Sequence, residues 1–206
     1  MHRQDPALWK FMFINKKQLE GKFVSLEPLS LEHIDELKIA VQDGESWKLW
    51  YANVPTPDSM AAYVQQAIVN AQTGALVYAV RHKASGKIVG TTRYYKIDAE
   101  NHRAMIGYTW YSDSVRRSPV NTECKLLLLE NLFEASSAIA AEFRTHIANL
   151  ASRRAIERLG AKLDGILRNH QKLKNGTIRD TAVYSIIASE WPELKANLVA
   201  RLAEKE

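Results

Sequence analysis

Arg116-Arg117-Ser118-Pro119-Val120-Asn121-Thr122-Glu123, running into Cys124-Lys125-Leu126-Leu127-Leu128-Leu129, is the stretch whose reading decides the fold. A strand leads into the two arginines and a leucine-rich helix follows. A second strand then reaches His146, and Asn149-Leu150-Ala151-Ser152-Arg153-Arg154 opens a second helix. A strand-loop-helix unit is thus used twice. Each helix begins just after a strand, so its unpaired N–H groups and the positive end of its dipole lie at the rim of a sheet, with arginines beside them. Such a place suits phosphate.

In the first unit Ser118 is a good N-cap and Pro119 a good first helical residue, because the N–H that proline lacks would have no helical partner. Val120, Cys124, Leu127 and Leu128 then face the core, while the N–H groups of Val120, Asn121 and Thr122 point outward beneath Arg116 and Arg117. In the second unit Asn149 caps the helix, Ser152, Ala155, Ile156 and Leu159 form its buried stripe, and Gly160 ends it. Arg153 and Arg154 project from its first turn. Spacing alone leaves a plainer reading open, in which these arginines are solvated or pair with Glu157 on the same helix.

Outward from this region, residues 1–20 read as an N-terminal arm with no sustained period, and 21–206 as a single domain. Phe23 to Pro28 is a short strand closed by proline, and Ser30 caps a helix whose apolar face is Leu31, Ile34, Leu37 and Val41. The aromatic loop holding Trp47, Trp50 and Tyr51 is either core or the cover of a pocket. Val54-Pro55-Thr56-Pro57-Asp58 leads into a second helix that stops at Gly74. A meander follows: Ala75 to His82, Ile88 to Ile97, Ala104 to Tyr111. After the two helices at 119–134 and 149–159, with a strand at 139–146 between them, Asn175-Gly176 joins a hairpin of 163–173 and 177–187, and a last helix follows Ser189. Strands in a run, then helix and strand alternating, then a hairpin, predict a mixed sheet of about seven strands with helices on both faces, an α/β (α+β) domain.

Composition excludes several classes. At 206 residues with 46% hydrophobic and 25% charged residues, the chain has ordinary globular usage. A net charge of +5 is a mild excess; it speaks against a nucleic-acid coat and suits a polyanionic small molecule equally well. One cysteine, Cys124, rules out an intramolecular disulfide and any multi-cysteine metal site, and no metal is expected. Trp9 to Ile14 is too short and too interrupted for a signal peptide, and no membrane span is expected, so the reading is cytoplasmic.

From about Lys22 to Leu198 the chain resembles the GNAT acyltransferases, and within them the Rim-like branch that includes ribosomal-protein N-terminal acetyltransferases. The resemblance rests on Ile106-Gly107-Tyr108-Thr109-Trp110, on Arg116 to Glu123 with the leucine run, on Glu142-Phe143-Arg144-Thr145-His146 with Asn149 and Ser152 to Ala161, and on Arg179-Asp180-Thr181 with Tyr184-Ser185. It implies a splayed mixed sheet whose two central strands part to admit acetyl-CoA, the cosubstrate. It also implies a pyrophosphate loop of Gln or Arg, two residues, Gly, one residue, then Gly or Ala. Those places hold Arg116, Pro119 and Asn121 here, so both glycine-like positions are altered. Asn149 matches the asparagine that opens the family's second helix. Ile156 stands where the family places a tyrosine acid, and Met105 occupies the neighbourhood of a carboxylate that many members carry.

The cofactor-binding residues expected are therefore Arg116, Arg117, Ser118, Val120, Asn121, Thr122, Asn149, Ser152 and Arg153. For the proton steps the candidates are His146, whose ordinary pKa suits the task, Glu142, and a tyrosine, Tyr184 or Tyr108. The expected activity is transfer of an acetyl group to a primary amine, either a protein N-terminus or a small molecule, by direct attack on the thioester. The alternative is a CoA-binding module without turnover. The oligomeric state stays open, a homodimer included.

Overall fold

Residues 13–14, 17–173 and 175–205 are described by a computed structural model of the chain. Most of the expected N-terminal arm lies outside them. Its described part packs on the domain: Ile14 is fully buried, and Leu19–Glu20 forms a short edge strand, β1. The remaining strands are β2 (Val24–Pro28), β3 (Leu76–His82), β4 (Lys87–Asp98), β5 (Arg103–Tyr111), β6 (Ala140–His146), β7 (Lys162–Lys172) and β8 (Ile178–Ile187). They make one sheet in the order β1-β2-β3-β4-β5-β6-β8-β7. The strand beyond the expected seven is β1, whose two residues are too short to carry a period.

Among the described residues five α-helices flank the sheet: α1 (Ile34–Gln42), α2 (Met60–Gln72), α3 (Val120–Glu130), α4 (Leu150–Glu157) and α5 (Trp191–Ala203). Some expected bounds shift. The second helix starts at Met60 rather than at the Val54–Asp58 segment, where two prolines and a Thr56–Ser59 hydrogen-bonded turn hold the chain out of the helix. The leucine-rich helix ends at Glu130 and continues as one wide π turn, Asn131–Ala135.

Alternation along the strands sorts side chains onto two faces. Tyr94, Ile106, Phe143 and Tyr184 pack in the main core with Leu128, Leu129 and Leu198 of α3 and α5. This is the first face. Ala79, Ile88 and Trp110 point the other way, into a second core with Leu37, Val41, Met60 and Val64 of α1 and α2. β4 is buried on both faces from Ile88 to Tyr94, with Thr91, Thr92 and Arg93 interrupting the apolar run that such a central strand usually carries.

All strand pairs are antiparallel except the central one, β5 with β6. That parallel ladder holds only three pairs, Arg103–Ala140, Ala104–Ala141 and Met105–Glu142. From Ile106 and Phe143 onward the two strands have no register with each other, so the sheet opens along that line. Beside the opening β5 carries a bulge: its register against β4 slips between Arg93–Gly107 and Thr91–Trp110, and Tyr108 sits at φ +50°. The bulge turns Tyr108 onto the second face beside Tyr95 and leaves Thr109 on the first beside Thr92.

Glu123 fixes the start of α3. Its carboxylate accepts from the backbone N–H groups of Lys22, Phe23 and Val24 at 2.8, 2.7 and 2.7 Å, tying the helix to β2. Those three bonds satisfy a charged side chain that is only 5% exposed. Gly21 is required beneath it, since a Cβ there would lie 2.4 Å from the Glu123 carboxyl carbon.

Candidate active site

The opening between β5 and β6 continues into a cavity of about 1380 Å³ that reaches both faces of the sheet. On the first face its wall is made by the two helix starts. Arg117, Ser118, Asn121 and Thr122 line it from α3, and Asn149 and Ser152 from α4. The two strand-loop-helix units therefore converge on one space.

The helix starts are built differently. At α3, Pro119 occupies the N-cap position and Val120 the first helical one, a residue later than the sequence suggested. Ser118 Oγ donates to the Val115 carbonyl at 2.6 Å and accepts from the Val120 N–H at 3.3 Å. The Val120 N–H is thereby used, and its side chain is in the core. The N–H groups of Asn121 and Thr122 lie in the first turn, where the helix supplies no acceptor. Arg117 adopts φ +60°, is exposed, and has no ion-pair partner among the described residues. Arg116 is already engaged, with Asp113 at 2.6 Å and Ser46 Oγ at 2.9 Å. At α4 Asn149 Oδ1 accepts the Ser152 N–H at 3.0 Å, a side-chain cap. Arg153 turns away from the cavity, its Nε on Tyr184 Oη at 2.8 Å and its Nη2 3.9 Å from Glu157. Arg154 lines the cavity instead.

Below α3 the cavity meets Lys125, 6% exposed, whose ammonium donates to Thr109 Oγ1 at 2.7 Å and Thr92 Oγ1 at 3.1 Å. Burial pulls its pKa down to about 8, and no carboxylate pairs with it among the described residues. Sequence reasoning placed no function there, because a lysine inside a leucine run looks like an ordinary solvated helix position. Cys124 beside it is fully buried, and burial pushes its thiol up to about 12, a core residue rather than a nucleophile.

The proposed acid-base residues separate. Tyr184 is on the first face, fully buried, and its hydroxyl donates to Glu157 Oε1 at 2.7 Å; it does not line the cavity. Glu142 closes the parallel ladder on the second face, with its two oxygens taken by Arg103 and Arg144. It is held in ion pairs outside the cavity wall. His146 does line the cavity. Its Nδ1 accepts the Ala148 N–H at 3.0 Å, so the ring proton belongs on Nε2, which is buried without a partner. Burial, then the charge of Arg179, lowers its pKa, so the ring is neutral and offers a donor.

The second-face wall comes from loops and the hairpin. Trp47 is seated in the second core, whereas Tyr51 to Val54 line the cavity. Trp50 and Tyr51 lie against the His146 ring at 4.9 and 6.1 Å between centroids. Both readings of the aromatic loop thus hold, at different residues. Tyr95 and Tyr108 meet edge to face at 5.0 Å beside the opening, and burial holds the Tyr95 hydroxyl up at about 12. Among the described residues no cluster of His, Cys, Asp or Glu has a metal-binding arrangement, and no helix is long and apolar enough to cross a membrane.

This architecture recurs. A family model for the acetyltransferase (GNAT) domain matches residues 24–162. A GCN5-related N-acetyltransferase from Brucella melitensis superposes with a TM-score of 0.81 at 36% identity, over 91% of this chain and 86% of that one. Mycobacterium smegmatis RimJ in complex with CoA-disulfide shares the fold at a TM-score of 0.76 and 18% identity, over 91% and 95% of the two chains. The microcin C7 self-immunity acetyltransferase MccE in complex with acetyl-CoA and AMP does so at 0.70 and 20%, over 81% and 93%. No curated protein matches the chain.

Proposed function

From the premise that this chain belongs to the GNAT acetyltransferases, we propose that it transfers an acetyl group from acetyl-CoA to a primary amine, the two meeting in the gap between β5 and β6. The observation that carries this reading is the single cavity that joins the helix starts on one face to the aromatic and basic wall on the other. Acetyl-CoA supplies the activated acetyl group. Arg117, the N–H groups of Asn121 and Thr122, and the Asn149 cap are the donors that fit its phosphates and arm, and Pro119 costs none of them because its own nitrogen would be outside the helix ladder.

With the family's glycines absent, the phosphate site relies on Arg117 and backbone donors. The sheet edges of β5 beyond Met105 and of β6 beyond Glu142 provide N–H groups with no strand to pair with, suited to a carbonyl oxygen as it gains negative charge. The amine enters from the second face, since the opening between the α3 and α4 starts on the first is the one the cofactor would fill. An α-amine with a pKa near ~8 is partly neutral without strong activation, so its proton can leave through water in the cavity.

Ile156 offers no acid and the Tyr184 hydroxyl is committed to Glu157, so the departing sulfur needs another donor. Tyr108, turned by the β5 bulge to line the cavity and with no hydrogen bond to its phenol oxygen among the described residues, is the phenol we assign to that step. Thiol release from acetyl-CoA in the presence of an amine panel tests the reading. Release above hydrolysis background is expected; binding of CoA by calorimetry with no release from any amine would return the chain to a binding module.

A further inference from the structure

The second-face wall of the cavity is charged in one sense. Arg144, Arg179, His170 and Lys96 all line it. The neighbouring carboxylates do not line it: Glu142 is held by Arg103 and Arg144, and Asp180, outside the cavity wall, accepts the Asn169 N–H at 2.7 Å. Arg179 has no ion pair among the described residues; its Nε donates to Thr181 Oγ1 at 2.9 Å, and the rest of the guanidinium fork remains available. The same Thr181 oxygen lies 2.9 Å from His170 Nδ1, so one hydroxyl sets the position of both groups. Behind them Arg93, 3% exposed and stacked on Tyr63 and Tyr108, also lacks a carboxylate partner among the described residues and leaves its Nε buried without an acceptor.

A half-buried arginine without a carboxylate among the described residues and a neutral His146, itself 5% exposed and with its Nε2–H orphaned, on one wall are unfavourable unless something anionic completes them. The same field keeps His170 easier to deprotonate: burial first, then Arg144, Arg179 and Lys96, lower its pKa. A polyamine or other polycation would add charge to this wall and be repelled.

Resting on the acetyl-transfer reading above, we infer that the acceptor carries a compact anion, a carboxylate or a phosphate, beside its amine, bound by Arg179 with the Nε2–H of His146. Arg's planar fork matches either anion in bidentate fashion, and the neutral imidazole adds a donor without a charge. Amine and anion on one small scaffold then place the nitrogen at the gap between the strands, while the anion stays on the hairpin side.

Product binding to CoA-saturated protein tests this without turnover. Isothermal titration would compare N-acetylglycine with N-acetylglycinamide, N-acetylaminoethyl phosphate with N-acetylethanolamine, and N-acetylputrescine as the cationic member. At least one anion is expected to bind tenfold or more tighter than its neutral counterpart, and which one does so separates carboxylate from phosphate. Arg179→Gln should bring the pair to within about twofold, Arg179→Lys should retain part of the preference, and Arg168→Gln, on the same hairpin but outside the cavity, should leave it intact. Equal or tighter binding of the neutral or cationic ligand, no binding of any of them, or a preference that survives Arg179→Gln in folded protein would overturn the inference. Failure of acetyl transfer itself would appear separately, as absent thiol release with amines of every charge.

Discussion

Arg117 shows how one side chain divides binding from chemistry. Arg117 lines the cavity before α3, and on the proposed reading it would meet the cofactor's phosphates rather than its thioester, so its contact would be the same in ground and transition states and contribute uniform binding. Arg117→Ala should raise KM for acetyl-CoA about tenfold with kcat within about twofold, roughly the 1.4 kcal/mol of one charge-assisted contact; steady-state kinetics decide it, and an equal loss in kcat would move Arg117 to the reacting centre. Tyr108→Phe should do the reverse, lowering kcat by about a hundredfold if the phenol gives its proton to the sulfur. An unchanged kcat would leave the proton to water.

Lys125 supplies a pH signature. Its folded pKa of about 8 lies below that of the unfolded chain, so between the two the unfolded state binds the extra proton. The stability penalty is fully present below pH 8 and is relieved as pH rises toward the unfolded value, by about 3 kcal/mol in total at one pKa unit per 1.36 kcal/mol. Stability from urea melts should therefore climb between pH 8 and 10 in the parent protein more than in Lys125→Met. Parallel profiles would mean that the ammonium is solvated.

At the scale of elements, the α3 start is held by a contact that its own helix does not contain. Glu123→Ala would strand the backbone N–H groups of Lys22, Phe23 and Val24, at and just before the start of β2, each costing roughly 1 kcal/mol or more. A loss of about 3 kcal/mol or more is expected in denaturant melts, with weakened CoA binding because the loop before α3 is set by the same anchor. Loss of stability with unchanged CoA affinity would separate the anchor from the phosphate loop. The bulge at Tyr108 works likewise between strands: one extra residue in β5 moves a phenol into the gap and keeps Thr109 over Lys125.

The whole molecule is one sheet that parts between β5 and β6; on the proposed reading the cofactor enters that gap from one face and the acceptor from the other. Acetyl-CoA should stabilise both halves together, because its arm would fill the line where they part; at 100 times its Kd the gain is about 2.7 kcal/mol, or several degrees in Tm for a chain of this length. A scanning-fluorimetry shift absent at millimolar acetyl-CoA would count against the cavity as its site.

The sequence by itself determined the order of elements, the doubled strand-loop-helix unit, the two helix starts and the family, because caps, prolines, turn residues and apolar periods act within a few residues of one another. His146, Asn149 and Arg117 were legible as cavity residues for the same reason: each ends a strand or opens a helix. Only the tertiary structure decided which side chains were already engaged. Arg153, Tyr184 and Glu142 look available in the chain and are held by partners 31, 27 and 39 residues away in sequence. Lys125, Arg93 and Arg179 look solvated and lie against the cavity or its wall without carboxylate partners among the described residues. Charge pairing and burial are set by which strands become neighbours, and that depends on contacts across the whole sheet rather than on any local run of residues.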